Sequence, residues 1–147
     1  MKLDDTNWLI LQQLQENARR PLTEIAKNVG ISSPSVSERI QKLEEAGIIN
    51  GYHANLNIKA LGYTLCVYIS IKIRFGQVER FEEYVQTVNE VCECLKLTGN
   101  DCMLMKAFVR DTEHLEELNR RLSQYGELTT SLMLSKIVDR KIFSQEI

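Results

Sequence analysis

Long apolar runs are missing from this sequence. The longest, around Leu65 to Ile73, is broken by Ser70 and Lys72 and is far too short to span a bilayer. The opening Met1-Lys2-Leu3-Asp4-Asp5 is acidic and lacks the apolar stretch of a secretory signal. A cytoplasmic protein with no membrane partner is expected. Histidine is scarce: His53 and His114 lie far apart in the chain and far from Cys92-x-Cys94, whose spacing is not that of a zinc ribbon. No metal site is expected, and nothing points to an oxidising compartment, so the cysteines read as small apolar residues of a sheet. Also missing are a glycine-rich phosphate loop, a nucleophile elbow and paired histidines at ligand spacing. No catalytic residue and no cofactor are therefore expected, although fold alone decides nothing about chemistry. Finally, there is no excess of positive charge. The net charge is −2, and residues 1–60 hold seven basic and seven acidic side chains. A nucleic-acid partner then requires charges segregated by face and gains from binding as a dimer or larger assembly.

What is present divides in two. The first third has helical spacing. Ile10, Leu11 and Leu14 make one apolar stripe, behind an N-cap at Asp4 or Asp5. Leu22, Ile25, Ala26 and Val29 make a second, which Gly30 ends because glycine adopts the left-handed conformation cheaply. Val36, Ile40 and Leu43 make a third, with Ser33 as expected N-cap and Pro34 in the first helical position. Ile48 to Ile58 reads as an extended, then irregular connection. After Gly62 the period changes. Leu65 to Ile73 alternates as a strand; Val78, Phe81, Val85 and Val88 repeat as a helix. Val91 to Thr98 and Cys102 to Val109 read as strands about a Gly99-Asn100-Asp101 turn, followed by a helix from Leu115 and a last strand from Leu128 to Val138. The fold class is α+β, an N-terminal helix-turn-helix followed by a ferredoxin-like βαββαβ sandwich. The expected domains are 1–50, a linker strand or hinge at 51–62, and an oligomerising domain at 63–147.

Residues 22–46 carry the clearest functional signal. Ala26 allows close approach of two helices, Gly30 permits the turn, and Val36 locks the second helix onto the first. Such an element enters the major groove with the start of its second helix nearest the bases. Ser33, Pro34, Ser35, Ser37, Glu38, Arg39 and Lys42 are the candidate contacts to double-stranded DNA. Hydroxyls and helix-start amides suit phosphate, while Arg39 and Lys42, placed on the outer face, reach phosphate or guanine. The alternative is that the helices are structural and the charges a solvated face.

The run Arg39-Ile40-Gln41-Lys42-Leu43-Glu44-Glu45-Ala46-Gly47-Ile48-Ile49-Asn50-Gly51-Tyr52 resembles the segment that closes the helix-turn-helix in the Lrp/AsnC (leucine-responsive, feast/famine) family. Leu3-Asp4, Ile10-Leu11, Leu14, Asn17-Ala18-Arg19, Glu24-Ile25-Ala26 and Leu61-Gly62 are similar to it in the same order. The resemblance implies a transcription regulator that forms homodimers and higher assemblies through its C-terminal sheets and responds to an amino acid or related metabolite. It also implies effector contacts at Gly99, Asn100, Asp101 and Cys102, and at Thr129 and Thr130 on the last strand. Without it, the first three of these are a plain hairpin turn. Two features depart from the family pattern. Asn7 stands where the family often has Asp, a change expected to matter only for local capping. Cys102 and Met103 stand where the effector loop usually has Asp and an aromatic residue, with Asp101 one place early. An architectural DNA-compacting protein and a metabolite-sensing module acting on a protein partner are the competing functions.

Overall fold

Asp4 ends the N-terminal residues in an extended conformation and accepts the amide of Asn7 at 2.7 Å, which starts α1 (Asp5–Glu16). The computed structural model describes residues 2–99 and 103–145. Helix α2 (Leu22–Val29) stops at Gly30, whose φ of 79° lets its amide reach the Ala26 carbonyl at 2.9 Å. Helix α3 (Ser33–Glu45) begins one residue earlier than its sequence suggests. Ser32, not Ser33, is the N-cap, because the Ser32 side chain accepts the Ser35 amide. Ile10, Leu11, Ile25, Ala26, Val36 and Leu43 close a buried core among the three helices.

No strand forms in the linker. Residues 50–57 have no regular structure, and Ile58–Leu61 coils into a 3₁₀ turn capped by the Asn57 side chain. Beyond it stand β1 (Leu65–Ile73), α4 (Val78–Val85), β2 (Val91–Lys96), β3 (Met103–Val109), α5 (Thr112–Leu122) and β4 (Gly126–Leu132). The strand order is β2-β3-β1-β4, with every pairing antiparallel. That is the ferredoxin-like arrangement expected from the alternating periods. Val67, Ile69, Ile71 and Ile73 project from one face of β1 onto Phe81 and Val85 of α4 and Leu118 and Leu122 of α5. The other face, with Cys66, Tyr68, Ser70 and Lys72, carries no helix of this unit.

The last strand is shorter than Leu128 to Val138. It pairs with β1 from Gly126 to Leu132, and the chain then leaves the ladder. From Val138 onward the residues belong with those up to Asn55 in one compact unit, and Leu56–Ile137 forms the other. The reason is a reciprocal clasp: the Gln15 side chain donates to the Phe143 carbonyl and accepts the Phe143 amide, both at 2.9 Å. The expected second domain therefore gives up its C-terminal end to the first.

Candidate DNA-binding and effector sites

Helix α3 buries Val36 and Leu43, half-buries Ile40, and leaves Pro34, Ser35, Ser37, Glu38, Gln41 and Lys42 exposed. Ser33 is half-buried. The Ser32 and Ser35 hydroxyls lie 2.8 Å apart at the start of the helix. Lys42 Nζ meets Glu38 Oε1 at 2.6 Å one turn back, and Gln41 Nε2 donates to Glu45 Oε1 at 2.8 Å. The Lys42 hydrogen bond holds the Glu38 carboxyl below its ordinary pKa. Ser35, Ser37 and Glu38 are thus solvated in the first half of the helix, where a groove-reading helix presents its side chains, and Lys42 lies one turn beyond Glu38, in the last turn.

Arg39 does not stand on that outer face. Its Nη1 reaches Asp4 Oδ2 at 2.8 Å, Asp4 Oδ1 at 3.0 Å and Asn7 Oδ1 at 2.9 Å. Asn7 is 4% exposed, and its carbonyl needs a donor. The guanidinium supplies one and at the same time ties the cap of α1 to the middle of α3. Asn7 therefore does more than local capping. Its amide completes the α1 cap while its side chain receives Arg39. The Arg39 hydrogen bond, with that of the Asn7 amide, holds Asp4 below the usual carboxylate range. A polar hollow of about 380 Å³ lies beside this cluster, between Asn7, Ile31, Ser35, Glu38, Arg39 and Lys42.

The expected effector residues divide differently. Gly99 has a φ of 116°, which disfavours any side chain there, and a Cβ built on it meets nothing within 4 Å. Asn100, Asp101 and Cys102 lie outside the described residues. Thr129 and Thr130 point to opposite sides of the sheet, as neighbours on a strand must. Thr129 is exposed and pairs with Ser70, whereas Thr130 turns to the helical side and donates to Asn119 of α5 at 3.0 Å. Of these two threonines, Thr129 is the one on the open face.

One cluster carried no signal in the sequence. Glu90, in the turn before β2, takes His114 Nε2 at 2.9 Å and Arg121 Nη2 at 2.5 Å, both from α5. His114 Nδ1 accepts the Arg110 amide at 3.2 Å, so Nε2 carries the proton toward Glu90. Burial opposes charge on Glu90, but the His114 and Arg121 hydrogen bonds outweigh it and lower its pKa. With both imidazole nitrogens occupied, this is a staple rather than a reacting group. Cys66 and Cys92 are pushed up by burial, with Lys106 opposing. These thiols are poor nucleophiles at neutral pH. No group of His, Cys, Asp and Glu among the described residues is placed to hold a metal, and no helix is long and apolar enough to cross a membrane.

Comparison with known proteins agrees with this geometry over both units. A model of winged helix-turn-helix DNA-binding domains matches residues 3–50, and one of Lrp/AsnC ligand-binding domains matches residues 66–143. The HTH-type transcriptional regulator LrpC of Bacillus subtilis is 29% identical over 137 residues, covering 93% of this chain and 95% of its own. Its solved structure superposes with a TM-score of 0.90 over 95% of this chain and 100% of that one. The HTH-type transcriptional regulator FL11 of Pyrococcus furiosus is 34% identical over 126 residues, covering 86% of this chain and 82% of its own. A Neisseria meningitidis transcriptional regulator solved in complex with L-Met superposes with a TM-score of 0.89 at 31% identity, over 99% of this chain and 98% of that one. With its three-helix DNA-binding unit, its ferredoxin-like sheet and these matches over both, the chain belongs to the Lrp/AsnC family of helix-turn-helix transcriptional regulators.

Proposed function

We propose that this chain is a cytoplasmic, sequence-specific regulator whose α3 reads the major groove of operator DNA. We further propose that its assembly through the ferredoxin-like units is tuned by an amino acid or related metabolite. The observation that carries the reading is the solvated side of α3, where Ser35, Ser37 and Glu38 stand clear of the core in its first half and Lys42 follows in its last turn. Lys42 is the cation of this set that reaches phosphate or guanine, while the half-buried Ser33 offers a helix-start amide; Pro34, which has no amide hydrogen, offers only its ring. Gly99 and Thr129, with Asn100, Asp101 and Cys102, are the residues of this chain proposed to meet the effector. The L-Met bound to the Neisseria relative supports an amino-acid ligand for such a domain. The sheet exposes Leu95 of β2 and Leu132 of β4, and Leu97 follows just beyond β2, which supports homodimers and larger assemblies.

Operator selection from genomic DNA, repeated with and without each of the twenty amino acids, tests the reading. Enrichment of a two-fold symmetric site, shifted by one or a few amino acids, is the expected result. Uniform recovery of all fragments at fixed salt would instead describe a DNA-compacting protein.

A further inference from the structure

We propose that the helix-turn-helix unit itself holds a second ligand site, a groove that takes a small amphipathic carboxylate. The groove encloses about 790 Å³, within the range of small-molecule sites, and lies wholly within the unit formed by the residues up to Asn55 and those from Val138. Trp8, Leu11, Leu14 and Ile49 make an apolar floor, and Arg19 and Arg140 stand at the rim. The clasp between Gln15 and Phe143 brings the C-terminal segment, with Arg140 on it, across α1 as one wall.

Charge identifies the occupant. Glu16, the carboxylate of the lining, is already bridged to Arg20 at 3.1 Å. Arg140 has no ion pair among the described residues, and Arg19 is exposed. The rim thus presents guanidinium groups above an apolar floor. A guanidinium pairs bidentately with a carboxylate, and its planar fork makes that pairing geometrically specific. A ligand with an aliphatic or aromatic body and one carboxylate satisfies floor and rim together. A neutral molecule of the same body leaves the guanidinium unmet, and a cationic one is repelled. The groove lies in a different unit from the loop after β2, so its occupancy is a separate binding event from any response to amino acids there.

Trp8 is the only tryptophan of the chain and lies in the floor, so its emission reports occupancy directly. Full-length protein is titrated with octanoate and, in parallel, with octanol. Saturable change in Trp8 emission with octanoate alone is expected, weakened at least tenfold in Arg140→Gln. Arg140 is exposed, so this variant should keep the wild-type far-ultraviolet dichroism. Should the change disturb docking of the C-terminal segment, Arg19→Gln reads the same charge requirement from the other side of the rim. Absence of saturation with octanoate, equal binding of octanol, or wild-type affinity in both variants overturns the proposal. Operator binding without octanoate stays as in wild type in all cases, which separates this result from any failure of the DNA-binding reading.

Discussion

Arg39 and Lys42 stand three residues apart on α3 and answer to different neighbours. Arg39 faces Asp4 and the buried Asn7, while Lys42 is exposed and, among the described residues, pairs with Glu38 of its own helix. Removing Arg39 orphans the Asn7 carbonyl, at a cost of about 1–3 kcal/mol for a buried polar group left unsatisfied. Arg39→Ala is therefore expected to lower the thermal midpoint of the protein, with DNA binding impaired as a consequence. Lys42→Ala should leave stability within about 0.5 kcal/mol and flatten the salt dependence of operator binding by about one unit. Were Arg39→Ala to melt like wild type yet fail to bind DNA, Arg39 would return to the DNA face. Glu90 supports a prediction in pH. Its pKa is lowered in the folded state, so its contribution is present above the ordinary value of 4.5 and is lost as pH falls through the folded value. Glu90→Gln should accordingly cost most at neutral pH, and its difference from wild type should shrink in acid denaturation. A difference that stays constant down to low pH would remove the Glu90–His114–Arg121 staple as the cause.

Elements with a regular period were legible, and those fixed by contacts distant in sequence were not. The alternation from Leu65 to Ile73 described β1 because one of its faces is fully buried. Gly30 marked the end of α2 for a reason internal to the turn. The end of β4 was overrun because Leu134 and Ile137 continue an apolar pattern, although they are 90% and 92% exposed and unpaired. Arg39 looked like a base-reading cation because Asp4, its partner, lies 35 residues away. The Gln15–Phe143 clasp spans 128 residues and leaves no local trace at all. Where β4 begins, the decisive fact is again tertiary. A Cβ on Gly126 would stand 2.2 Å from the Lys72 carbonyl oxygen, a backbone atom that cannot swing aside. Gly126→Ala is expected to destabilise the sheet by about 1–3 kcal/mol, the usual range for overpacking a filled site. Denaturant unfolding of the full chain measures it. A midpoint equal to wild type would show that β1 and β4 can part without loss.

At the scale of the whole molecule, the sheet matters most, and within its own unit helices cover one of its faces only. Its helix-free face brings Cys66 opposite Phe108, Tyr68 opposite Lys106, Ser70 opposite Leu104, and Leu104 opposite Leu95 across three strands. Lys106 sits 5.5 Å over the Phe108 ring, so even its cation lies along the apolar surface rather than standing out from it. Antiparallel sheets with one wet face normally make that face polar, and this one is mixed and rich in large side chains. A second copy offering the same face across a two-fold axis would bury it, because an isologous interface needs only one self-complementary patch. The 17.0 kDa chain should then sediment as a dimer or larger species at micromolar concentration, and its melting temperature should rise with protein concentration. Phe108→Glu replaces a large apolar side chain of that patch with a carboxylate beside Lys106, and dissociation should follow, since apolar contact is lost and the new ion pair would have to be stripped of water in the interface. Far-ultraviolet dichroism should stay unchanged, because Phe108 points away from the helices and its removal leaves the inner core of Val67, Ile69 and Met105 intact. A wild-type chain that sediments as a monomer at every concentration, or a Phe108→Glu variant that remains assembled, would leave this face without the role assigned to it.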